Sequence, residues 1–232
     1  MPRRTVVLLT LNEVDGVRWL FSAGHDLSAM ADEVLAVDGG STDGTREVLA
    51  SHDVRLVDQP RPGRGEAFRA AVQASSGACL VFFSPDGNED PDDIPRLFAA
   101  IEDGADMAIA SRFLPGSRNE EDDDSLPLRK WTNQVFTWIA NSIWNRKRYV
   151  TDTINGFRGI TREAFQKLNP GSMGYTIEYE MTIRAMKQRM RIEEIPTREG
   201  NRVGGESKAP SFRTGVRFLK FLIQEMVAGD GR

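Results

Sequence analysis

An apolar stretch that stops abruptly in an acidic turn constrains this chain most. Residues 79–83 read Cys-Leu-Val-Phe-Phe, which is typical of a buried central strand. Ser84-Pro85 ends the strand, and polar side chains follow at once: Asp86, Asn88, Glu89 and Asp90. Open α/β sheets bind ligands beyond the carboxyl ends of their strands, so these oxygens are placed to hold a divalent cation and substrate phosphates. A solvated acidic turn that caps the next helix is the alternative.

Short apolar strands and helices alternate through the first half of the chain. The patterns predict strands at 5–11, 31–37, 54–58, 79–83 and 107–111. Helices are predicted at 14–20, from 42–45 onward, at 66–74 and at 91–103. This order predicts an α/β fold with a doubly wound, mostly parallel sheet and flanking helices.

The pattern changes after Phe113. Residues 114–125 are polar and include the like-charge block Asp122-Asp123-Asp124, which predicts a mobile loop. Helices are predicted at 127–144, 162–168, 175–188 and 211–227, with a strand at 191–196. Residues 152–159 are expected to form a loop or short strand, and residues 199–209 a Gly-rich basic loop.

Composition narrows the class of protein. With 232 residues and a net charge of −4, the chain fits one α/β domain and does not fit a general nucleic-acid binder. The single cysteine, Cys79, excludes an intrachain disulfide and indicates a reducing compartment. Neither a signal peptide nor an apolar run of membrane-spanning length is evident, so we expect a cytoplasmic protein.

Three polar loops follow three of the predicted strands: Asn12-Glu13, residues 38–43 and residues 86–90. In a parallel sheet these loops share one edge and can converge. A nucleotide needs such a set, because a carboxylate can accept from a base, glycines let backbone approach a sugar, and a metal holds the phosphates. Three unrelated helix caps are the alternative interpretation.

The amino-acid sequence of these loops resembles the ordered motifs of family 2 glycosyltransferases with the GT-A fold. The matching strings are residues 9–13 (Leu-Thr-Leu-Asn-Glu), 37–45 (Val-Asp-Gly-Gly-Ser-Thr-Asp-Gly-Thr) and 63–67 (Gly-Arg-Gly-Glu-Ala). Residues 84–88 stand where that family carries its Asp-x-Asp metal motif. Strings at 111–113, 156–158, 202–208 and 212–215 resemble the branch of dolichol-phosphate mannose synthases and polyprenyl-phosphate glucosyltransferases.

The resemblance implies a nucleotide-sugar site, a metal and an acceptor site. Donor-binding residues would be Thr10, Asn12, Glu13, Asp38, Gly40, Gly65, Pro85, Asp86 and Asn88. Asp86 and Asn88 would hold Mg²⁺ or Mn²⁺, and Asp86 and Arg112 would be catalytic. The acceptor phosphate would be held by Arg112, Arg158, Arg202 and Lys208. The glycosyltransferase domain would span residues 1–210, with a nucleotide-sugar half at about 1–113 and an acceptor half at about 114–210. A C-terminal amphipathic helix, 211–232, would follow.

Two positions depart from the family pattern. Ser84 stands where the first Asp of the metal motif is usual, and Gly39 where many relatives have a second Asp. Losing a carboxylate should weaken metal binding or make it more dependent on the substrate diphosphate.

The expected reaction is transfer of a hexose from a UDP- or GDP-linked donor to a polyprenyl phosphate, with inversion. A phosphate monoester is already an anionic nucleophile at neutral pH, so it needs cations rather than a base. Transfer to a soluble or glycan hydroxyl is the alternative, and it would need a base such as Asp152 or one of Asp122 to Asp124. A catalytically weak nucleotide-sugar binder is the third.

The last predicted helix combines basic and apolar residues, among them Arg213, Arg217, Phe218 and Lys220. This pattern predicts peripheral contact with the cytoplasmic face of a membrane. Docking on the core or dimer formation is the alternative. The sugar, the nucleotide and the oligomeric state stay open.

Overall fold

One seven-stranded sheet organises the protein. The computed structural model describes residues 3–52, 54–203 and 211–227, with the backbone alone described for 211–214. The strands are β1 (Arg4–Thr10), β2 (Glu33–Asp38), β3 (Arg55–Asp58), β4 (Cys79–Phe83), β5 (Met107–Ser111), β6 (Arg158–Thr161) and β7 (Ile192–Pro196). Their spatial order is β3-β2-β1-β4-β6-β5-β7, and β6 runs antiparallel to both of its neighbours. The predicted doubly wound, mostly parallel sheet is confirmed.

Helices cover both faces of this sheet. Those described are α1 (Val14–Ser22), α2 (Leu27–Met30), α3 (Thr45–Ser51), α4 (Arg64–Ala74), α5 (Asp93–Glu102), α6 (Leu128–Trp144), α7 (Arg162–Leu168), α8 (Ile177–Lys187) and α9 (Ser211–Val227). Val7 and Phe82 belong to the core on the α4 and α8 side, whereas Leu8 and Phe83 belong to the core on the α1 and α5 side. A strand covered on both faces needs apolar residues at every position, which explains the unbroken apolar runs of β1 and β4.

The strand register brings the polar loops to one edge. Thr10 pairs with Asp38 at the ends of β1 and β2, and Ser111 pairs with Pro196 at the ends of β5 and β7. Because β6 is antiparallel, the loop that precedes Arg158 lies at the same edge. Loops from both halves of the chain therefore meet there.

One feature of the second half differs from the sequence prediction. Within the loop at 114–125, residues Glu120–Asp123 form a 3-10 helix that the side chain of Asn119 caps. The apolar stripe of α6 is partly covered: Trp131 and Trp138 are exposed, whereas Ile139 and Ile143 pack against the core. Among the described helices, none is long and apolar enough to cross a membrane.

Helix α1 packs directly on the loop that carries Asp86. A Cβ atom added to Gly16 would lie 2.0 Å from the carbonyl oxygen of Pro85 and 2.8 Å from the Cα atom of Asp86. Both neighbours are backbone atoms, so a side-chain rotation cannot relieve the overlap. Only glycine at this position lets α1 support the Asp86 loop so closely.

We therefore expect Gly16→Ala to destabilise the protein by about 1–3 kcal/mol through overpacking. Gly215→Ala is the matched control, because it is also a helical glycine and its added Cβ would meet no atom within 4 Å. That control should be neutral or stabilise by up to about 1 kcal/mol. Urea unfolding of the two variants measures the difference, and equal effects would contradict the close approach of α1 to Pro85.

Candidate active site

The loops after β1 and β2 are tied together by side-chain hydrogen bonds. The backbone N–H of Val14 donates to Asp43 Oδ2 at 3.0 Å, and that of Glu13 donates to Thr45 Oγ1 at 2.9 Å. In the other direction, the Thr42 N–H donates to Asn12 Oδ1 at 2.9 Å. These bonds hold Asn12 and Glu13 against the loop that follows β2, and their donor-binding role stays a prediction.

Asp38 lies beneath this turn and is almost fully buried. Its carboxylate accepts from the N–H groups of Gly40 and Ser41, the hydroxyls of Ser41 and Thr10, and the guanidinium of Arg46. Burial alone would raise the pKa of Asp38, but the bonds from Ser41 and Arg46 lower it. Asp38 and Thr10 therefore shape the turn from inside, while Gly40 is exposed and has a positive φ of 96°.

Gly65 serves a close backbone contact. A Cβ atom there would lie 1.9 Å from the carbonyl oxygen of Ser172, and its N–H donates to the Met173 carbonyl at 2.9 Å. The structure thus places Gly65 against the segment that precedes α8. The contacts of Gly65 do not explain a donor-binding role, which stays a prediction.

Asp86 occupies the centre of the edge and is 4% exposed. Its Oδ1 accepts from the Asn88 N–H at 3.2 Å, and its Oδ2 lies 2.5 Å from Arg202 Nη2. The Asn88 side chain donates to Glu120 Oε2 at 3.2 Å. Pro85, which precedes Asp86, is buried. The structure therefore brings Arg202 of the acceptor half onto the carboxylate predicted for the donor half.

Residues 199–203 lie across the Asp86 loop. The Val203 N–H donates to the Asp86 carbonyl at 2.9 Å, and the Gly200 N–H donates to the Asn88 carbonyl at 2.8 Å. A Cβ atom on Gly87 would come within 2.5 Å of the Val203 side chain. Lys208, which we predict to hold phosphate, lies outside the described residues.

Arg112 forms a two-pronged ion pair with Asp152. Its Nε lies 2.7 Å from Oδ2 and its Nη2 lies 3.0 Å from Oδ1, while Nη1 is 3.6 Å from Glu199 Oε1. Burial opposes the charge on Arg112, but Asp152 and Glu199 raise its pKa overall. Burial also opposes ionisation of Asp152, and Arg112 lowers the pKa of that carboxyl. The catalytic arginine predicted from sequence is held in place by this carboxylate.

The assignment of Arg158 to the acceptor phosphate is wrong in this structure. Arg158 is fully buried, and its guanidinium donates to the carbonyls of Asn155 and Glu178 and to the Thr182 hydroxyl. Burial lowers its pKa to about 10. Its side chain lies under α8 and secures the loop before β6, so it does not reach the cleft.

Sequence reasoning missed Arg129, whose positive charge lies near those of Arg112 and Arg202. Arg129 makes ion pairs with Glu120 and Glu121, and its Nε lies 3.0 Å from Glu121 Oε1. Burial lowers its pKa, and the positive charges of Arg112 and Arg202 lower it further. Its place on the polar side of α6 was the one available signal, and a polar helix face is usually solvated.

Sequence reasoning also missed Glu199, whereas Glu89 belongs to the acidic turn that the sequence predicted as a cation site. Glu199 is 5% exposed and accepts from the Asn119 side chain and the Glu120 N–H, both at 3.1 Å. Glu89 accepts from the Ser84 N–H at 2.7 Å. Burial raises the pKa of both carboxyls, and the charge of Asp86 adds to this effect.

Comparison with known proteins identifies the family. The model of the family described as Glycosyl transferase family 2 matches residues 5–168. The chain belongs to glycosyl transferase family 2. An uncharacterised glycosyltransferase of Mycobacterium tuberculosis is 31% identical over 205 residues, which cover 88% of each chain. Polyprenol monophosphomannose synthase of Mycolicibacterium smegmatis is 27% identical over 243 residues, covering 96% of this chain and 86% of the relative.

Solved structures show the same fold. The glucosyl-3-phosphoglycerate synthase of M. tuberculosis, in complex with Mn²⁺, UDP and phosphoglyceric acid, superposes with a TM-score of 0.74 at 21% identity. The match covers 99% of this chain and 79% of that one. This family 2 glycosyltransferase therefore has the GT-A fold, in which a neighbour binds a divalent metal together with UDP.

The residues present fit a divalent cation that shares its ligands with a nucleotide. Asp86 already pairs with a cationic group, and Asn88 offers an amide beside it. Within residues 3–52, 54–203 and 211–227, no group of three or more His, Cys, Asp or Glu side chains is arranged to hold a metal. The diphosphate would have to supply the remaining ligands, as expected from Ser84.

The Arg112–Asp152 pair gives this glycosyltransferase a testable pH dependence. Arg112 lowers the pKa of Asp152, so the pair stabilises the fold above the ordinary Asp pKa of about 3.9 and this contribution is lost as pH falls through the folded-state value. Arg112→Met leaves a buried carboxylate whose pKa burial raises. We expect a loss of about 3–5 kcal/mol at pH 7, shrinking as pH is lowered toward 5.

Chemical unfolding at pH 5, 6 and 7 measures this effect. The double variant Arg112→Met, Asp152→Asn is the control, and it should recover part of the lost stability and show little dependence on pH. A loss for Arg112→Met that stays constant over this range would contradict the assigned partner.

Proposed function

We propose that this protein transfers a hexose from a UDP- or GDP-linked donor to a polyprenyl phosphate, with inversion at the anomeric carbon. The observation that carries the proposal is the group formed by Arg112, Arg129 and Arg202 next to Asp86. Arg112 and Arg129 both interact electrostatically with the Glu199 carboxylate, and Arg202 forms an ion pair with Asp86. Three guanidinium groups beside a donor-site carboxylate suit two phosphorylated substrates, because a guanidinium group carries several N–H donors for phosphate oxygens.

Two of the carboxylates suggested as bases for a hydroxyl acceptor, Asp152 and Asp122, already pair with cationic side chains. Asp152 is held by Arg112, which lowers its pKa. Asp122 caps the 3-10 helix and pairs with Lys130, which lowers its pKa. A carboxyl with a lowered pKa is a weak proton acceptor at neutral pH. These observations favour an acceptor that arrives already ionised.

The reaction then needs positioning and charge stabilisation. A phosphate oxygen of the acceptor attacks the anomeric carbon, the bond from that carbon to the nucleoside diphosphate breaks, and the electron pair leaves with the diphosphate. A divalent cation held by Asp86 and Asn88 would neutralise charge on the leaving group. Arg112 and Arg129 hold the attacking phosphate, and the loops after β1 and β2 hold the nucleoside. No proton has to be removed, since the second pKa of a phosphate monoester is about 6.

Exposed apolar residues on two helices support a lipid acceptor. Helix α6 exposes Leu128, Trp131, Val135 and Trp138, and helix α9 exposes Val216, Leu219, Ile223 and Met226. The helices touch through Phe136 and Phe218, whose ring centroids lie 5.3 Å apart. In α9, the exposed cations Arg217 and Lys220 accompany these residues. Tryptophan and basic residues beside apolar ones are typical of proteins that bind a membrane surface.

A labelled-sugar assay tests the proposal. UDP-glucose, GDP-mannose and UDP-N-acetylglucosamine are each offered with a short-chain polyprenyl phosphate or with 3-phosphoglycerate, and Mn²⁺ or Mg²⁺ is added. We expect organic-soluble label from one donor with the polyprenyl phosphate. Label on 3-phosphoglycerate alone would overturn the acceptor class and favour a hydroxyl acceptor, for which Glu89 and Glu199 are buried carboxyls of the site with raised pKa values.

Asp86→Ala should lower transfer at least about a hundredfold, because stabilisation of the leaving diphosphate through a metal contributes several kcal/mol. Initial rates with saturating Mn²⁺ measure the effect, and circular dichroism checks the fold. Asp123→Ala is the control, since it removes an exposed carboxylate that pairs with Arg118 outside the Asp86 loop. Near-normal turnover of Asp86→Ala would contradict the assignment.

Arg129→Ala and Lys208→Ala should raise KM for polyprenyl phosphate more than KM for the nucleotide sugar. Loss of a charged contact to phosphate costs about 1.5–3 kcal/mol, so the acceptor KM should rise about ten- to a hundredfold. Lys167→Ala is the control, because α7 follows β6 at the opposite edge of the sheet. If donor KM rises and acceptor KM does not, these residues bind the diphosphate instead.

A further inference from the structure

Arg202 is paired with Asp86, the carboxylate that we assign to the metal. The Nη2–Oδ2 distance is 2.5 Å, and 28% of the Arg202 side chain is exposed. Its other terminal nitrogen, Nη1, is buried and has no hydrogen-bond partner among the residues that the structure describes. A guanidinium with one nitrogen bonded and one left buried is incompletely satisfied, which costs free energy. The pair is thus a state from which Arg202 can be released if a better set of acceptors arrives.

The backbone around Arg202 is fixed on the same loop. Val203 donates to the Asp86 carbonyl and Gly200 to the Asn88 carbonyl, so Arg202 is anchored on both sides. Its long side chain can therefore exchange partners without movement of the segment. The Asp86 Oδ1 atom already accepts from the Asn88 N–H, which leaves Oδ2 as the oxygen that the guanidinium and a cation would share.

We infer that Arg202 is the built-in counter-ion of Asp86, and that a divalent cation bound with the nucleotide diphosphate displaces it. The released guanidinium then binds phosphate oxygens of the donor or of the incoming acceptor. The inference rests on the proposed function for the identity of that phosphate. Its first half, competition between Arg202 and the metal for Asp86, concerns this chain alone.

Competition predicts a specific dependence of metal affinity on nucleotide. Without nucleotide, Mn²⁺ must break the Arg202–Asp86 pair and leaves the guanidinium without a phosphate. With a diphosphate present, the metal gains ligands and Arg202 gains acceptors. Binding of metal and of nucleotide is therefore coupled through Arg202, and by linkage each raises the affinity for the other by the same factor.

Mn²⁺ titration followed by electron paramagnetic resonance tests the inference without any turnover. In the absence of nucleotide, Arg202→Gln should bind Mn²⁺ about tenfold more tightly than the wild type, because the competing charge is gone. Arg198→Gln is the matched control: it removes an exposed arginine of the same segment that donates to the Gly116 carbonyl, and Mn²⁺ affinity should not change. Asp86→Asn should abolish the gain when combined with Arg202→Gln.

A second measurement adds UDP or GDP. Nucleotide should increase Mn²⁺ affinity strongly in the wild type and by a clearly smaller factor in Arg202→Gln. Arg202→Lys keeps the charge but not the planar fork, so nucleotide should raise its Mn²⁺ affinity by an intermediate factor. This variant replaces Arg202→Gln in the experiment if Arg202→Gln fails to fold. Equal nucleotide-free affinity in the wild type and a folded Arg202 variant, or a gain that persists without Asp86, would overturn the inference.

The metal titration and the transfer assay test the two proposals independently. Altered metal affinity with no transfer to polyprenyl phosphate would keep the counter-ion and remove the proposed acceptor. Normal transfer with unchanged metal affinity would keep the proposed acceptor and overturn the counter-ion role of Arg202.

Discussion

Pairing between guanidinium and carboxylate groups in a nearly dry space is the interaction on which the candidate site depends. Asp86, Asp152 and Glu178 are each at most 4% exposed, and each is paired with an arginine: Arg202, Arg112 and Arg64. A buried charge that loses its partner is costly, so none of these arginines can leave without replacement. Each pair joins segments far apart in the chain, and together they hold loops from both halves against one another.

The rest of the fold makes this charged edge possible. The central strands are covered on both faces, which gives a rigid platform whose loops leave from a common edge. Close packing then positions the loops, as where Gly16 lets α1 approach the backbone of Pro85. The two arginines differ in how fully they are bonded. Arg112 pairs with two carboxylates, whereas within the described part of the chain Arg202 pairs with Asp86 alone and its buried Nη1 has no acceptor. That difference separates an arginine that frames the site from one that can exchange its partner.

Local patterns predicted the strands well, and for a simple reason. Strands covered on both faces must be apolar at nearly every position, so β1, β4 and β5 were located within one or two residues. The position of Asp86 followed from the same rule, because a polar turn directly after a buried parallel strand lies at the carboxyl edge of the sheet. Helix α6 was located equally well, yet part of its apolar stripe, including Trp131 and Trp138, is exposed, because helical periodicity shows that an apolar face exists but not what covers it.

Much of the fold could be predicted from the chain alone, but which arginines face the cleft could not be. The sequence determined the α/β class, the order of the elements, the edge at which the loops meet and the place of Asp86, because these follow from short-range apolar patterns and turn residues. It did not determine which guanidinium groups face the cleft. Arg158 was expected there and is buried under α8, since its direction depends on how β6 pairs between β4 and β5. Arg129 was not expected there and is drawn in by Glu120 and Glu121. A charged side chain takes the partner that long-range packing brings within reach, and only the folded chain specifies that partner.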